Sequence, residues 1–234
     1  MQRLSNIKSP MTSESLVGAL IAVVVFGSIW GLVEATLGGF LHLIHVPPLY
    51  KGAITGGIGM ALMAIFVTTY KRPTLVFAIG VIAALFKPLS AIIYAQPVFA
   101  PFVVNPATAI VLEALGFCLV ASLLHKGFES SVKSRVAIGV SAGYLGFILF
   151  AIVASALGFG KWPMMGITDK LVTTLSNGTA LAIVGTLLLL PGHLAGRQLR
   201  PILSAMKPRT FYAGAAVSIV FCWAIASLAF AVGL

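Results

Sequence analysis

The chain has 234 residues, of which 59% are hydrophobic and 9% charged, with a net charge of +10 from 15 basic and 5 acidic residues. Ordinary globular domains carry about a quarter of their residues as charged side chains, so this composition excludes a typical soluble enzyme or binding domain. The basic residues fall in small clusters between long apolar runs, the pattern of membrane loops and not of a nucleic-acid surface.

Seven segments meet the requirement of about 20 mostly apolar residues per membrane span. In chain order they are predicted at 16–44, 52–70, 74–96, 105–125, 136–159, 170–192 and 211–233. The first is too long for a signal-peptide core and has no clear cleavage site, so it reads as a mature helix. Pro73 opens the third span, Asn105 and Pro106 read as N-cap and first helical residue of the fourth, and Thr168 or Asp169 reads as the cap of the sixth. Pro88 removes an amide donor and frees the Ala84 carbonyl, which predicts a kink in the third span. The predicted fold is an all-α, polytopic helical bundle forming one transmembrane domain, 1–234.

Loop charges alternate along the chain. Arg3, Lys8, Lys71, Arg72, Lys126, Lys133, Arg135, Arg197, Arg200, Lys207 and Arg209 fall on one side, and Lys51, Lys161 and Lys170 on the other. The positive-inside rule then predicts a cytoplasmic N-terminus and an external C-terminus; the expected location is a prokaryotic inner or plasma membrane. Tyr50, Tyr70, Tyr94, Trp162 and Tyr212 lie near predicted span ends, as interfacial aromatics do.

Lys87 is the basic residue left over, inside the third span. Glu34 and Glu113 are the carboxylates well inside spans. At about 1.5 Å rise per residue, all three lie roughly 12–15 Å below the outer surface, near the middle of the hydrocarbon layer. Each shares a helix side with small or polar residues, so these sides are expected to face the bundle interior. Thr173, Thr174 and Asn177 on the sixth span reach a similar depth. Intramembrane charges point first to function, with a register-fixing ion-pair network as the structural alternative. A lysine with two glutamates can hold a substrate's anionic and cationic groups, so Glu34, Lys87, Glu113, Asn177 and Thr173 are predicted to bind substrate.

Other signals are weaker. His42 and His45 are three apart and could share a metal, but no acidic or cysteine partner is near in sequence. His125 and His193 sit at predicted inner span ends, as interfacial residues or, less simply, as haem ligands. Cys118 and Cys222 lie in apolar segments without CxxC spacing. No P-loop, HExxH or GxSxG occurs, so no enzymatic activity, metal or cofactor is expected, and any use of ATP must come through a partner. Small residues recur every four positions at Gly27, Gly31, Ala35 and Gly39, a spacing that lets membrane helices approach closely, within the chain or against a partner.

The outer-half polar pocket, the small-residue first helix and the small all-helical form resemble the S components of energy-coupling factor transporters, across roughly the first 192 residues. The resemblance implies a substrate-binding membrane subunit for a small nutrient, working with a transmembrane coupling subunit and cytoplasmic ATPases. It also implies a coupling-subunit contact at Gly27, Gly31 and Ala35, where the family carries an alanine pattern. That family usually has six spans, so 211–233 would be an addition. Two other readings keep the same residues: a noncatalytic integral subunit of a larger redox or ion-translocating complex, and a self-contained ion- or proton-coupled carrier.

Overall fold

The computed structural model describes residues 15–233; Arg3 and Lys8 lie outside them. Nine α-helices occur among the described residues: α1 (Leu16–Leu43), α2 (Pro48–Tyr70), α3 (Val76–Ala84), α4 (Phe86–Ile93), α5 (Pro101–Leu123), α6 (His125–Phe128), α7 (Val132–Leu157), α8 (Ile167–Ala205) and α9 (Pro208–Ala231). Together with a 3₁₀ turn at Pro73–Leu75, α3 and α4 make one span, so seven spans are long and apolar enough to cross a membrane. No strand occurs among the described residues. A bilayer supplies no hydrogen-bond partners, and helices satisfy their own backbone.

Helix starts follow the capping residues. The Ser15 hydroxyl accepts from the Gly18 amide at 3.0 Å, and that of Ser131 from Ser134 at 3.3 Å. Pro48, Pro101 and Pro208 occupy first helical positions, where a missing amide hydrogen costs nothing. Two expected caps are corrected. The fourth span starts at Pro101, which leaves Asn105 and Pro106 inside α5. The sixth starts at Ile167, with Gly166 as its N-cap two residues before Thr168. It also runs on to Ala205, because neither Pro191 nor Pro201 ends it.

The kink expected at Pro88 is present as a full interruption. α3 stops at Ala84 and α4 restarts at Phe86. The Leu85 amide turns to the Ile82 carbonyl at 3.2 Å, a tighter i−3 bond.

Packing centres on α2, 67% of whose apolar stretch is buried, against 28% for α9. α2 lies on α8 at near-backbone distance. A Cβ at Gly192 would come within 2.6 Å of the Ala61 carbonyl oxygen, and one at Gly196 within 2.8 Å of that of Ile65. α7 joins α8 and α5 in the same way; a Cβ at Gly116 would sit 2.8 Å from the Gly146 amide nitrogen. Without a hydrophobic driving force between helices in lipid, such close approach supplies the dispersion contact that holds them. α9 packs on α1 and α4. The Trp223 indole donates to the buried Ser28 hydroxyl at 3.1 Å and leans on Phe86, with ring centroids 4.3 Å apart.

The basic end of the bundle is tied by polar contacts. Lys71 pairs with Glu129. Arg135 donates to the Phe128 and Glu129 carbonyls at 2.8 and 3.2 Å. His193, at this end, is buried: it is 1% exposed, bonded to the Thr68 hydroxyl at 2.9 Å and edge-on to Phe128. The run-on of α8 past 192 carries it into the core. His125 is exposed, with Nδ1 2.9 Å from the Ser122 carbonyl.

Candidate functional site

The interruption of the third span sets Lys87 in the first turn of α4, beside α1. Its Nζ lies 3.1 Å from Glu34 Oε2, and the two side chains are only 15% and 10% exposed. An ion pair in low-dielectric surroundings is favourable only with close geometry, because desolvation opposes the attraction. The Ser90 hydroxyl caps the turn from the same helix, donating to the Lys87 carbonyl at 2.7 Å.

The pair forms one wall of a cavity of about 560 Å³, inside the usual range of roughly 300–1,000 Å³ for small-molecule sites. Five helices and the C-terminal turn line it. α1 contributes Glu34, Ala35, Gly38, Gly39 and His42; α2 contributes Lys51, Gly52 and Thr55; α4 contributes Lys87, Ser90 and Tyr94 at its end. Phe102 and Pro106 of α5 and Phe230 of α9 supply apolar wall, with Gly233 beyond it. The cavity is thus polar on the α1, α2 and α4 sides and apolar on the α5 and α9 sides. The seventh span is part of the wall.

Gly38 keeps the cavity open. A Cβ built there would meet only Glu34 Oε2 at 3.7 Å and Thr55 Cγ2 at 3.9 Å, ordinary contacts, so the missing side chain is space beside the ion pair. Lys51 Nζ lies 3.0 Å from His42 Nδ1. The ammonium can only donate, so Nδ1 accepts and the ring proton sits on Nε2.

Of the residues expected to bind substrate, Glu34 and Lys87 meet in the cavity. Glu113 does not line it. It is 9% exposed and packs behind Gly56, where a Cβ would fall 2.6 Å from its Oε2 and 2.9 Å from Leu181 Cδ1, while its own Cα packs on Gly146. It remains within electrostatic reach of Glu34. Neither ion pair among the described residues includes it. Thr173 and Asn177 also lie away from the cavity, and the Asn177 amide donates to the Thr173 carbonyl at 2.8 Å within α8.

The small-residue stripe of α1 is filled from inside the chain. A Cβ at Gly27 would lie 2.5 Å from Ile82 Cβ, one at Gly31 2.2 Å from the Phe86 ring, and Ala35 is 1% exposed in a cluster with Phe86, Ala226 and Phe230. A partner helix cannot use these positions while α3, α4 and α9 occupy them.

Sequence reading missed Lys51 and Gly38 as site residues, and it weighed His42 only as a metal ligand. His45, the other member of that pair, does not line the cavity and has a left-handed backbone, φ 58°. No cluster of three or more His, Cys, Asp or Glu that could hold a metal occurs among the described residues. Helical spacing did put His42 on the side of Glu34 and Gly38, and it was the available signal.

Fold and site together define a multi-pass α-helical membrane protein with a charged pair beside a solute-sized cavity. No family model, curated protein or solved structure matches the chain.

Proposed function

We propose that the protein is a noncatalytic membrane transport subunit that binds a small nutrient in the Glu34–Lys87 cavity. The observation that carries this reading is the ion pair itself: it borders about 560 Å³ of open space instead of being packed over by apolar side chains. A pair that served register alone would be better sealed, since water competes with the attraction. Charges placed inside membrane spans mark solute or ion pathways.

The basic loops orient the cavity. With Lys71, Arg72, Lys126, Lys133, Arg135 and the 197–209 cluster on the cytoplasmic side, the end that carries His42, Lys51 and Tyr94 faces outward. Solute would enter from outside and reach the pair near mid-membrane. An S-component-like role with a coupling subunit and ATPases fits the outward cavity. The occupied α1 stripe favours a second reading, a self-contained carrier, because the expected docking face is already used within the chain. Transport by purified protein in liposomes without a partner would select the carrier.

Native mass spectrometry tests the shared claim. Wild-type protein released gently from its membrane is expected to carry a small molecule that is lost from Lys87→Met, with folding retained by circular dichroism. Equal occupancy in the folded variant would remove the cavity from the account.

A further inference from the structure

The charges of the described residues that line the cavity do not balance. Among its described lining residues the formally charged groups are Glu34, Lys87 and Lys51. Lys87 and Glu34 answer each other at 3.1 Å. Among the described residues, the Lys51 ammonium meets the lone pair of His42 Nδ1, at 3.0 Å, which accepts a hydrogen bond without supplying negative charge. The other carboxylate within reach of Glu34, Glu113, stands outside the cavity behind Gly56 and Leu181. Among the described residues, one ammonium of the lining is therefore without a counter-charge.

Resting on the reading of this cavity as a solute site, we propose that its solute is a small organic acid of net negative charge, whose carboxylate is held by Lys51. A bound solute displaces water from the mouth of the cavity and desolvates the Lys51 ammonium. Burying a charge without a counter-charge is costly. A neutral solute leaves that cost standing and a cation adds repulsion to it, whereas a carboxylate removes it with a charge-assisted hydrogen bond. A single lysine suits a monoanion; the described lining has no arginine fork such as commonly clamps phosphate. The rest of the lining sets the body of the molecule. Phe102, Phe230 and Tyr94 offer apolar and aromatic surface, and the space left by Gly38 lets that body reach the Glu34–Lys87 pair, where polar groups can bond to either member. The outward-facing position of Lys51, ahead of the pair, also draws anions in from bulk solution.

The test reads the potential inside the cavity without knowing the solute. Gly38→Cys is made with Cys118 and Cys222 replaced by alanine; the backbone at Gly38 accepts a Cβ at ordinary contact distance. The detergent-purified protein is treated with sulfonatoethyl, trimethylammonioethyl and uncharged methyl methanethiosulfonate. The ratio of anionic to cationic rates is expected to exceed that of free 2-mercaptoethanol. It should fall roughly tenfold in Lys51→Met, as removal of one nearby unit charge in a partly hydrated site implies, and hold in Lys51→Arg. A ratio at or below that of 2-mercaptoethanol, or one indifferent to Lys51→Met, overturns the anionic solute while leaving the cavity. Failure of even the uncharged reagent to modify Gly38→Cys shows the cavity closed to solutes, and overturns both.

Discussion

Breaking the Glu34–Lys87 pair from each side separates a real contact from two independent polar residues. At 3.1 Å the bare attraction at an effective dielectric of about 20 is roughly 5 kcal/mol, and desolvation cancels much of it. Removing one member of a buried pair typically costs about 3–5 kcal/mol, because the survivor is left uncompensated. Here the survivor borders an open cavity and can draw on water, so Lys87→Met and Glu34→Gln should each cost about 2–3 kcal/mol. The double variant leaves no uncompensated charge and should cost about 1 kcal/mol or less, giving a coupling of at least about 3 kcal/mol. Reversible unfolding in mixed micelles, followed by circular dichroism, measures all four proteins. Losses that add within about 0.5 kcal/mol would refute the contact and the layer built on it. The double variant is also expected to fold well and bind no solute, which divides the pair's structural role from its binding role.

Further outcomes follow from the packing around the site. Gly31→Val drives a Cβ to 2.2 Å from the Phe86 ring; overpacking of this kind costs about 1–3 kcal/mol or more, and Phe86→Ala in the same chain should recover part of the lost thermal stability. Trp223→Phe removes the bond to Ser28 and should cost about 1 kcal/mol, read as a lower unfolding midpoint; no change would show that this bond does not anchor α9. Thr173→Ala and Asn177→Ala should leave solute occupancy at the wild-type level, because neither lines the cavity; loss of the solute from either would extend the site to α8.

Hydropathy was enough to find all seven spans, because a membrane-crossing helix must be apolar over its whole length and that requirement is local. Span ends were less legible. Pro48, Pro101 and Pro208 act as helix starters a few residues ahead of the apolar runs. The tail of α8 continues through His193 and Arg197; their polarity looked like a loop, yet His193 makes its contacts on α2 and α6. Depth alone placed Glu34 and Lys87 in one layer, and Pro88 marked the broken helix that lets them meet. Depth does not specify where a side chain leans. Glu113 shares the layer yet fills the notch at Gly56, and Asn177 turns to its own helix. Lys51 and Phe230 join the cavity through contacts between distant helices, and no local pattern records those.

The central claim is that a solute occupies the cavity beside Lys87, and a structure of the protein taken from its native membrane tests it most directly. Density for a small organic molecule is expected between the Glu34–Lys87 pair and Lys51, with a carboxylate at the Lys51 ammonium. A co-purifying molecule bound elsewhere, with only water or a lipid chain in the cavity, would contradict it.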